Sequence, residues 1–269
     1  MVRSVYIDWS SWEDRKMRNK RQIFVGLFLA AVLALPALAQ NAGTGRNDQQ
    51  IQNDVTKLLS SKDKWKGVTA STEDAIVTLN GSINILMDKI DLGKKVDKVK
   101  NVNGVRNHIQ VSSTATDAEL REKLSDKLRY DRVGYGILFN NLTLDVQNGV
   151  ATVGGQVHDY PSRDSALAVA ETMPGVKDVV DNIEVLPTST FDDDLRIRVA
   201  RAIYGNNVLS RYAMDPQKPI RIVVDNGHVS LYGIVDSTLD KQIAVTQAKS
   251  VPNVFSVDDH LMVAANEKK

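Results

Sequence analysis

Lys62, Lys64, Trp65 and Lys66 fall within a single stretch of five residues. Amphipathic rings beside cations are what an anionic membrane interface selects, the ring resting at headgroup level and the cations on phosphate. Flanked by Lys64 and Lys66 and preceded by Lys62, Trp65 is expected to be exposed. Further along, Lys89, Lys94, Lys95, Lys98 and Lys100 alternate with Asp88, Asp91 and Asp97. Alone, that segment is an ordinary solvated helix face. Joined to the loop at 62–66, its Lys94, Lys95 and Lys98 would complete a locally basic patch on a chain with little charge bias.

Catalytic chemistry finds few candidates. The sequence has no cysteine, no G-x-S-x-G, no phosphate-binding glycine loop and no H-E-x-x-H. His108, His158, His228 and His260 each stand alone in sequence. A metal role would need several ligands to converge, and a polar group at a strand edge explains each histidine better. The run Asp192, Asp193, Asp194 suits the positive end of a helix rather than a calcium loop. The expectation is a protein that is not an enzyme and that takes neither cofactor nor metal.

The elements that must carry these residues are repeated. Val77-Thr-Leu-Asn-Gly-Ser-Ile83 returns as Ala151-Thr-Val-Gly-Gly-Gln-Val157 and as Val229-Ser-Leu-Tyr-Gly-Ile-Val235, which places Gly81, Gly155 and Gly233 at spacings of 74 and 78 residues. That period suits a small domain rather than a solenoid unit. Each copy alternates as a strand with one buried and one wet face. A glycine on the buried face marks close approach by another backbone, expected here to be a helix crossing the sheet.

Before each strand, helical spacing appears in Ile51, Val55, Leu58 and Leu59, in Leu120, Leu124 and Leu128, and in Leu195, Val199, Ala202 and Ile203. Thr116 to Glu119 reads as a capping box. Asn148-Gly149 and Asn226-Gly227 are hairpin turns, and copy one is assigned its turn at Ser71 to Asp74. A second helix follows at about 161–173 and 237–250, stopped by Met173-Pro-Gly175 and Val251-Pro-Asn253. The last strands end His108-Ile-Gln-Val111, Asn182-Ile-Glu-Val185 and His260-Leu-Met-Val263. The fold class is therefore α/β (α+β): three tandem α-β-β-α-β units, each a mixed three-stranded sheet with two helices on one face. The strand-helix-strand crossover should be right-handed and parallel, and the hairpin antiparallel.

The strand pattern hydrophobic-x-hydrophobic-x-Gly-x-hydrophobic, together with Pro174-Gly-Val176 and Asp181-Asn-Ile-Glu-Val185, resembles the BON domain, found in bacterial envelope proteins that include osmotically induced periplasmic ones. The units are taken as 47–112, 116–187 and 191–264. Copy one departs most. Measured from Gly104 to Val111 it has three residues fewer than Gly175 to Val185, which predicts a longer second helix and a shortened or shifted last strand. Gly81, Gly155, Gly175 and Gly233 are expected to be structural.

Residues 1–39 read as a leader and signal peptide. Lys16, Arg18, Lys20 and Arg21 precede the apolar run Ile23 to Ala39, and Ala37-Leu-Ala39 offers cleavage before Gln40. Trp9, Trp12, Glu13 and Asp14 do not suit an n-region, so translation is expected to begin at Met17. The remaining chain holds 28 Lys and Arg against 30 Asp and Glu, which gives no basic field for nucleic acid. Resemblance and composition together imply a periplasmic, non-enzymatic binding protein that docks on an anionic phospholipid surface and supports the envelope under osmotic or other stress. The competing expectation is a protein-interaction array that holds client or envelope proteins on its strand edges or polar sheet faces. Of the ten aromatics beyond residue 39, Trp65, Tyr130, Tyr135, Phe139, Tyr204 and Tyr212 lie between the first helix and first strand of a unit. For Tyr130 and Tyr204, at helix ends, a place in the core is the better reading.

Overall fold

The computed structural model describes residues 44–130, 136–214 and 219–264. The expected signal peptide, its cleavage after Ala39, the start at Met17, Tyr135 and the tail from Asn266 lie outside the described residues.

Three α-β-β-α-β units follow one another. The first has α1 (Thr44–Ser60), β1 (Val68–Glu73), β2 (Ile76–Ile83) and α2 (Leu86–Asp97), and its last strand comes in two pieces, β3 (Gly104–Asn107) and β4 (Gln110–Val111). The second has α3 (Asp117–Tyr130), a single turn α4 (Gly136–Phe139), β5 (Asn141–Gln147), β6 (Val150–Val157), α5 (Tyr160–Glu171) and β7 (Asp178–Val185). The third repeats this with α6 (Thr190–Tyr204), α7 (Arg211–Met214), β8 (Arg221–Asp225), β9 (His228–Val235), α8 (Thr238–Lys249) and β10 (Ser256–Val263). In every sheet the middle strand pairs antiparallel with the first and parallel with the last.

Local chemistry accounts for the element ends. The capping box forms as expected, with the Thr116 amide donating to the Glu119 carboxylate at 2.8 Å and the Glu119 amide donating to Thr116 Oγ1 at 3.3 Å. Helices α5 and α8 begin at Asp159 and Ser237, whose side chains accept from the amides of Ser162 and Asp240. The equivalent residue before α2 is Ile85, which has no capping group. On the core side, α2 buries Leu92 and Val96 where α5 and α8 bury alanines.

All three hairpins turn through two residues with positive φ: Asp74 and Ala75, Asn148 and Gly149, Asn226 and Gly227. These are the two left-handed positions of a type I′ turn. In copy one Ser71 to Glu73 are strand, so the turn lies further on than its assignment from sequence. Its second position is an alanine at φ 62°.

The close approach at Gly81, Gly155 and Gly233 comes from a neighbouring strand rather than from a helix. A methyl on these glycines would meet the carbonyl oxygens of Gly67, Asn141 and Pro219 at 2.1, 1.9 and 2.6 Å. Those carbonyls belong to residues just before or at the start of the antiparallel partner strand. The glycines also hold φ of 127°, 97° and 136°, so they are fixed by backbone conformation as well as by space.

Copy one is more regular than its sequence suggests. Parallel pairing joins Ile76 to Gly104, Val150 to Asp178 and His228 to Ser256, a crossover of the same length in every unit. The second helix has 12 residues in each. The residue equivalent to Gly175 is Asn101 rather than Gly104: Asn101, Gly175 and Asn253 all have positive φ, three residues before the last strand begins. The last strand of copy one is interrupted between Asn107 and Gln110 without a shift of register.

Cores pass from one unit to the next. Leu86 and Val111 of the first unit pack in the core of the second, and Phe139 of the second packs in that of the third. The Gly175 amide donates to the Asn84 carbonyl at 3.1 Å, and a methyl at Gly175 would meet Ser113 Oγ at 2.7 Å. This glycine is structural because two units meet on it.

Three positions respond differently in one urea series. Gly155→Ala is expected to lower stability by about 2–4 kcal/mol, through overpacking and left-handed strain together. Gly154→Ala, whose added methyl would meet only Thr143 Oγ1 as closely as 3.0 Å, should lose less than about 1 kcal/mol. Ala75→Gly should gain about 0.5–1 kcal/mol by relieving its left-handed backbone. Equal losses at 154 and 155, or a loss at 75, would contradict these assignments.

Candidate membrane-docking site

Trp65 closes a single 3-10 turn (Asp63–Trp65) on the way from α1 to β1. It is fully buried among Ile51, Val55, Leu79 and Leu92, against the exposure its lysine neighbours suggested. The turn explains the reversal: it points the indole inward while Lys62, Lys64 and Lys66 stay outside. Apolar burial of an indole outweighs the polarity of adjacent residues, because their ammonium groups keep their water. The indole Nε1 is buried without a hydrogen-bond partner among the described residues, so Trp65 holds its place by packing.

The lysines cover the ring instead of flanking an exposed one. The Nζ atoms of Lys62 and Lys64 lie 5.6 and 5.5 Å from the indole centroid, a cation–π arrangement. Lys64 also pairs with Asp88 in the first turn of α2, and Lys66 with Asp63 at 2.7 Å. The third unit builds the same device from other residues. There Tyr212 is buried, the Arg211 guanidinium lies 4.9 Å from its ring, and Arg211 pairs with Asp240 in the first turn of α8. The Tyr212 hydroxyl donates to Asp240 at 2.7 Å and accepts from the Asp236 amide at 2.7 Å, and burial pushes its phenol up from the ordinary range. Asp88 and Asp240 are each the third residue of the second helix, so a cation, a ring and a helix carboxylate tie the variable connection to the frame in both units.

Lys94, Lys95 and Lys98 are exposed at the far end of α2. With 1.5 Å of rise per residue, Lys94 stands roughly 9 Å and Lys98 roughly 15 Å along the axis from the turn carrying Asp88. They suit the negative end of the helix dipole. Lys94 looks toward the second unit: burial raises the Glu171 carboxyl above its usual range, and Lys94 opposes that rise. The structure therefore divides the sequence-predicted cluster into a group over Trp65 and a group at the end of α2, separated by about a Debye length at physiological salt.

Of the remaining aromatics, Tyr204 falls on the core side. Tyr204 donates its hydroxyl to the Ile220 carbonyl and packs against the third core. Burial raises its phenol far above the ordinary range. His260 stacks on Tyr232 at 4.7 Å, and His228 Nδ1 is 2.8 Å from Ser256 Oγ. Among the described residues no group of metal-ligating side chains converges.

Residues 47–113, 116–187 and 204–265 match the BON domain, and the chain belongs to that family. The third match begins at the end of α6, and the structure completes that unit with the helix itself. BON domains are associated with envelopes and membranes and are in general non-catalytic. No curated protein matches the chain. Among solved structures it is similar to CdsD of Chlamydia trachomatis, a structural protein of the type III secretion system, at 15% identity and a TM-score of 0.22, over 81% of this chain and 94% of that one. The C-terminal domain of CdsD aligns at 11% identity and a TM-score of 0.22, over 79% and 96%. The PrgH periplasmic domain aligns at 9% and 0.19, over 74% and 96%. At such scores these likenesses bear on neither fold nor partner.

Because the indole is core rather than contact surface, Trp65→Ala should lower stability by about 3–5 kcal/mol in urea unfolding, whereas Lys62→Ala should change it by less than about 1 kcal/mol. A Trp65→Ala protein as stable as the parent would restore the exposed reading of this ring.

Proposed function

We propose that the protein is an exported, non-enzymatic binding protein of the cell envelope, periplasmic after cleavage at Ala39, which docks on anionic phospholipid and supports the envelope under osmotic or other stress. The observation that carries the proposal is the set of exposed lysines in the first BON unit: Lys62, Lys94, Lys95 and Lys98 hold no ion pair among the described residues. Lys64 and Lys66, already paired with Asp88 and Asp63, are secondary contacts. Trp65 serves by holding the loop in shape. Family membership and the basic-then-apolar N-terminus support the compartment. Protein taken from the periplasm should begin at Gln40.

The wet face of the third sheet favours a second reading. Tyr232 and His260 stack there, Ile234 and Met262 are exposed beside them, and Phe191 stacks on the exposed Phe255 at 6.3 Å. An apolar strip of this kind suits a protein partner.

Co-sedimentation separates the two. The parent should pellet with phosphatidylglycerol or cardiolipin vesicles at low salt, less so as salt rises, and not with phosphatidylcholine. Combined Lys62→Glu, Lys94→Glu, Lys95→Glu and Lys98→Glu should abolish pelleting, each lysine contributing about 1 kcal/mol at most. If the parent never pellets, or charge reversal leaves it unchanged, the protein-interaction reading takes its place.

A further inference from the structure

The same pole of the repeated frame carries different chemistry in the first and third units. In every unit the chain enters its last strand beside the hairpin turn, where the amides of Asn103, Lys177 and Phe255 donate to the carbonyls of Ala75, Gly149 and Gly227 at 2.8, 2.8 and 2.9 Å. In the third unit that residue is a phenylalanine, 68% exposed. It stacks at 6.3 Å on Phe191, itself 40% exposed in the first turn of α6, and meets His228 edge-on at 5.9 Å. Of the large apolar side chains exposed among the described residues, all but Tyr160 belong to the third unit. Two stacked rings in water, where the other units carry asparagine and lysine, mark a contact surface.

Three carboxylates share this end of the third unit. Asp194 stands one helical turn from Phe191, Asp225 pairs across the hairpin with His228, and Asp258, which pairs with Ser230, lies on the sheet face of His228. None of the three holds an ion pair among the described residues. Of the cations nearby, Arg198 donates to the Pro252 carbonyl at 3.0 Å and Lys249 ends α8. The first unit reverses these signs. By the register that sets Gly104 beside Ile76 and Ser256 beside His228, Arg106 stands where the third unit has Asp258. Asp97 ends α2 as Lys249 ends α8, and Lys98 and Lys100 follow where the third unit has Ser250 and Pro252. Lys98, Lys100 and Arg106 are exposed and hold no ion pair among the described residues. Glu73 and Asp74 are exposed too, but on the first-strand side of the turn. Ala75, Val99 and Val102 are half-buried at the same pole and give a ring an apolar footing. Third unit against third unit would set like carboxylates together, whereas third against first brings Asp258 to cations and Lys249 to Asp97. The second unit, which packs on both neighbours, stands between the two poles, so each finds its complement on another molecule.

We propose that the aromatic, acidic pole of the third unit docks on the basic pole of the first unit of a second copy, so that the chain associates head to tail. Such a contact is heterologous and builds either a closed ring or an open chain. Two rings and a few surface charges make it weak and sensitive to salt. The proposal gives part of the apolar strip on the third unit one partner and does not rest on the membrane reading. Lys98 is the one residue that the two share.

Sedimentation velocity in the absence of lipid tests it. The chain recovered from the periplasm should show a weight-average mass that rises with concentration at low salt and returns to that of the monomer as salt rises. Phe255→Ser with Asp258→Lys should sediment as a monomer at concentrations where the parent associates, and so should Lys100→Glu with Arg106→Glu. Both pairs lie on the surface, so circular dichroism should show each variant folded. Mixed in equal amounts, the two variants should form a heterodimer and nothing larger, because each keeps the pole that the other has lost. Tyr160→Ser, in the second unit, should associate as the parent does. The proposal is overturned if the parent stays monomeric throughout, if either double variant alone associates as the parent does, or if their mixture remains monomeric. With no lipid present, the result stands apart from the outcome of vesicle pelleting.

Discussion

Each unit depends on one carboxylate that joins its first helix to its hairpin. Asp48, Asp117 and Asp192 each accept the two consecutive amides of the turn: 3.0 and 2.8 Å from Asp74 and Ala75, 2.7 and 2.8 Å from Asn148 and Gly149, 3.0 and 2.9 Å from Asn226 and Gly227. Successive left-handed residues turn neighbouring N–H groups the same way and make a small anion-binding concavity. The fold fills it with its own side chain. In every unit this aspartate stands three residues before the first buried apolar residue of the helix, Ile51, Leu120 or Leu195. One helical turn therefore supplies both the polar anchor and the first apolar contact.

Anchoring the turn sets the remainder of the frame. A two-residue turn fixes the hairpin register, and the register sets Gly81, Gly155 and Gly233 against the incoming carbonyl of the partner strand. From the turn onward the crossover is the same length in all three units. Variation in length is greatest in the connection between first helix and first strand, where nothing in the register is at stake. That is where a 3-10 turn with Trp65 or a short helix with Tyr212 plugs the core. A loop free to vary in length can carry a different ring and a different cation in each unit while the carboxylate at the third position of the second helix receives it.

Strand alternation, helix spacing and the two Asn-Gly turns made the α-β-β-α-β order legible, because each is a local pattern with one structural solution. The turn of copy one was hidden because Asp74-Ala75 lacks the glycine that announces a type I′ turn. Copy one was misaligned for a related reason. Gly104 is the glycine in this stretch, whereas the position that needs positive φ is occupied by Asn101, which tolerates it. The clamp went unread although its signal was present: an aspartate recurring three residues ahead of the apolar helix stripe. At Asp192 the carboxylate was credited to the helix dipole alone. Trp65 was misjudged because neighbours in sequence say little about which way a side chain points in a single tight turn.

Shared cores bear on how the chain can bind anything. Leu86 and Val111 belong to the second core and Phe139 to the third, so adjacent units do not hang as beads on flexible linkers. A small unit gains apolar burial from its neighbour that it could not supply alone. The same packing holds surface groups at set separations. Lysines on the first unit are presented with little conformational entropy left to lose from the backbone beneath them, and weak individual contacts add only under that condition.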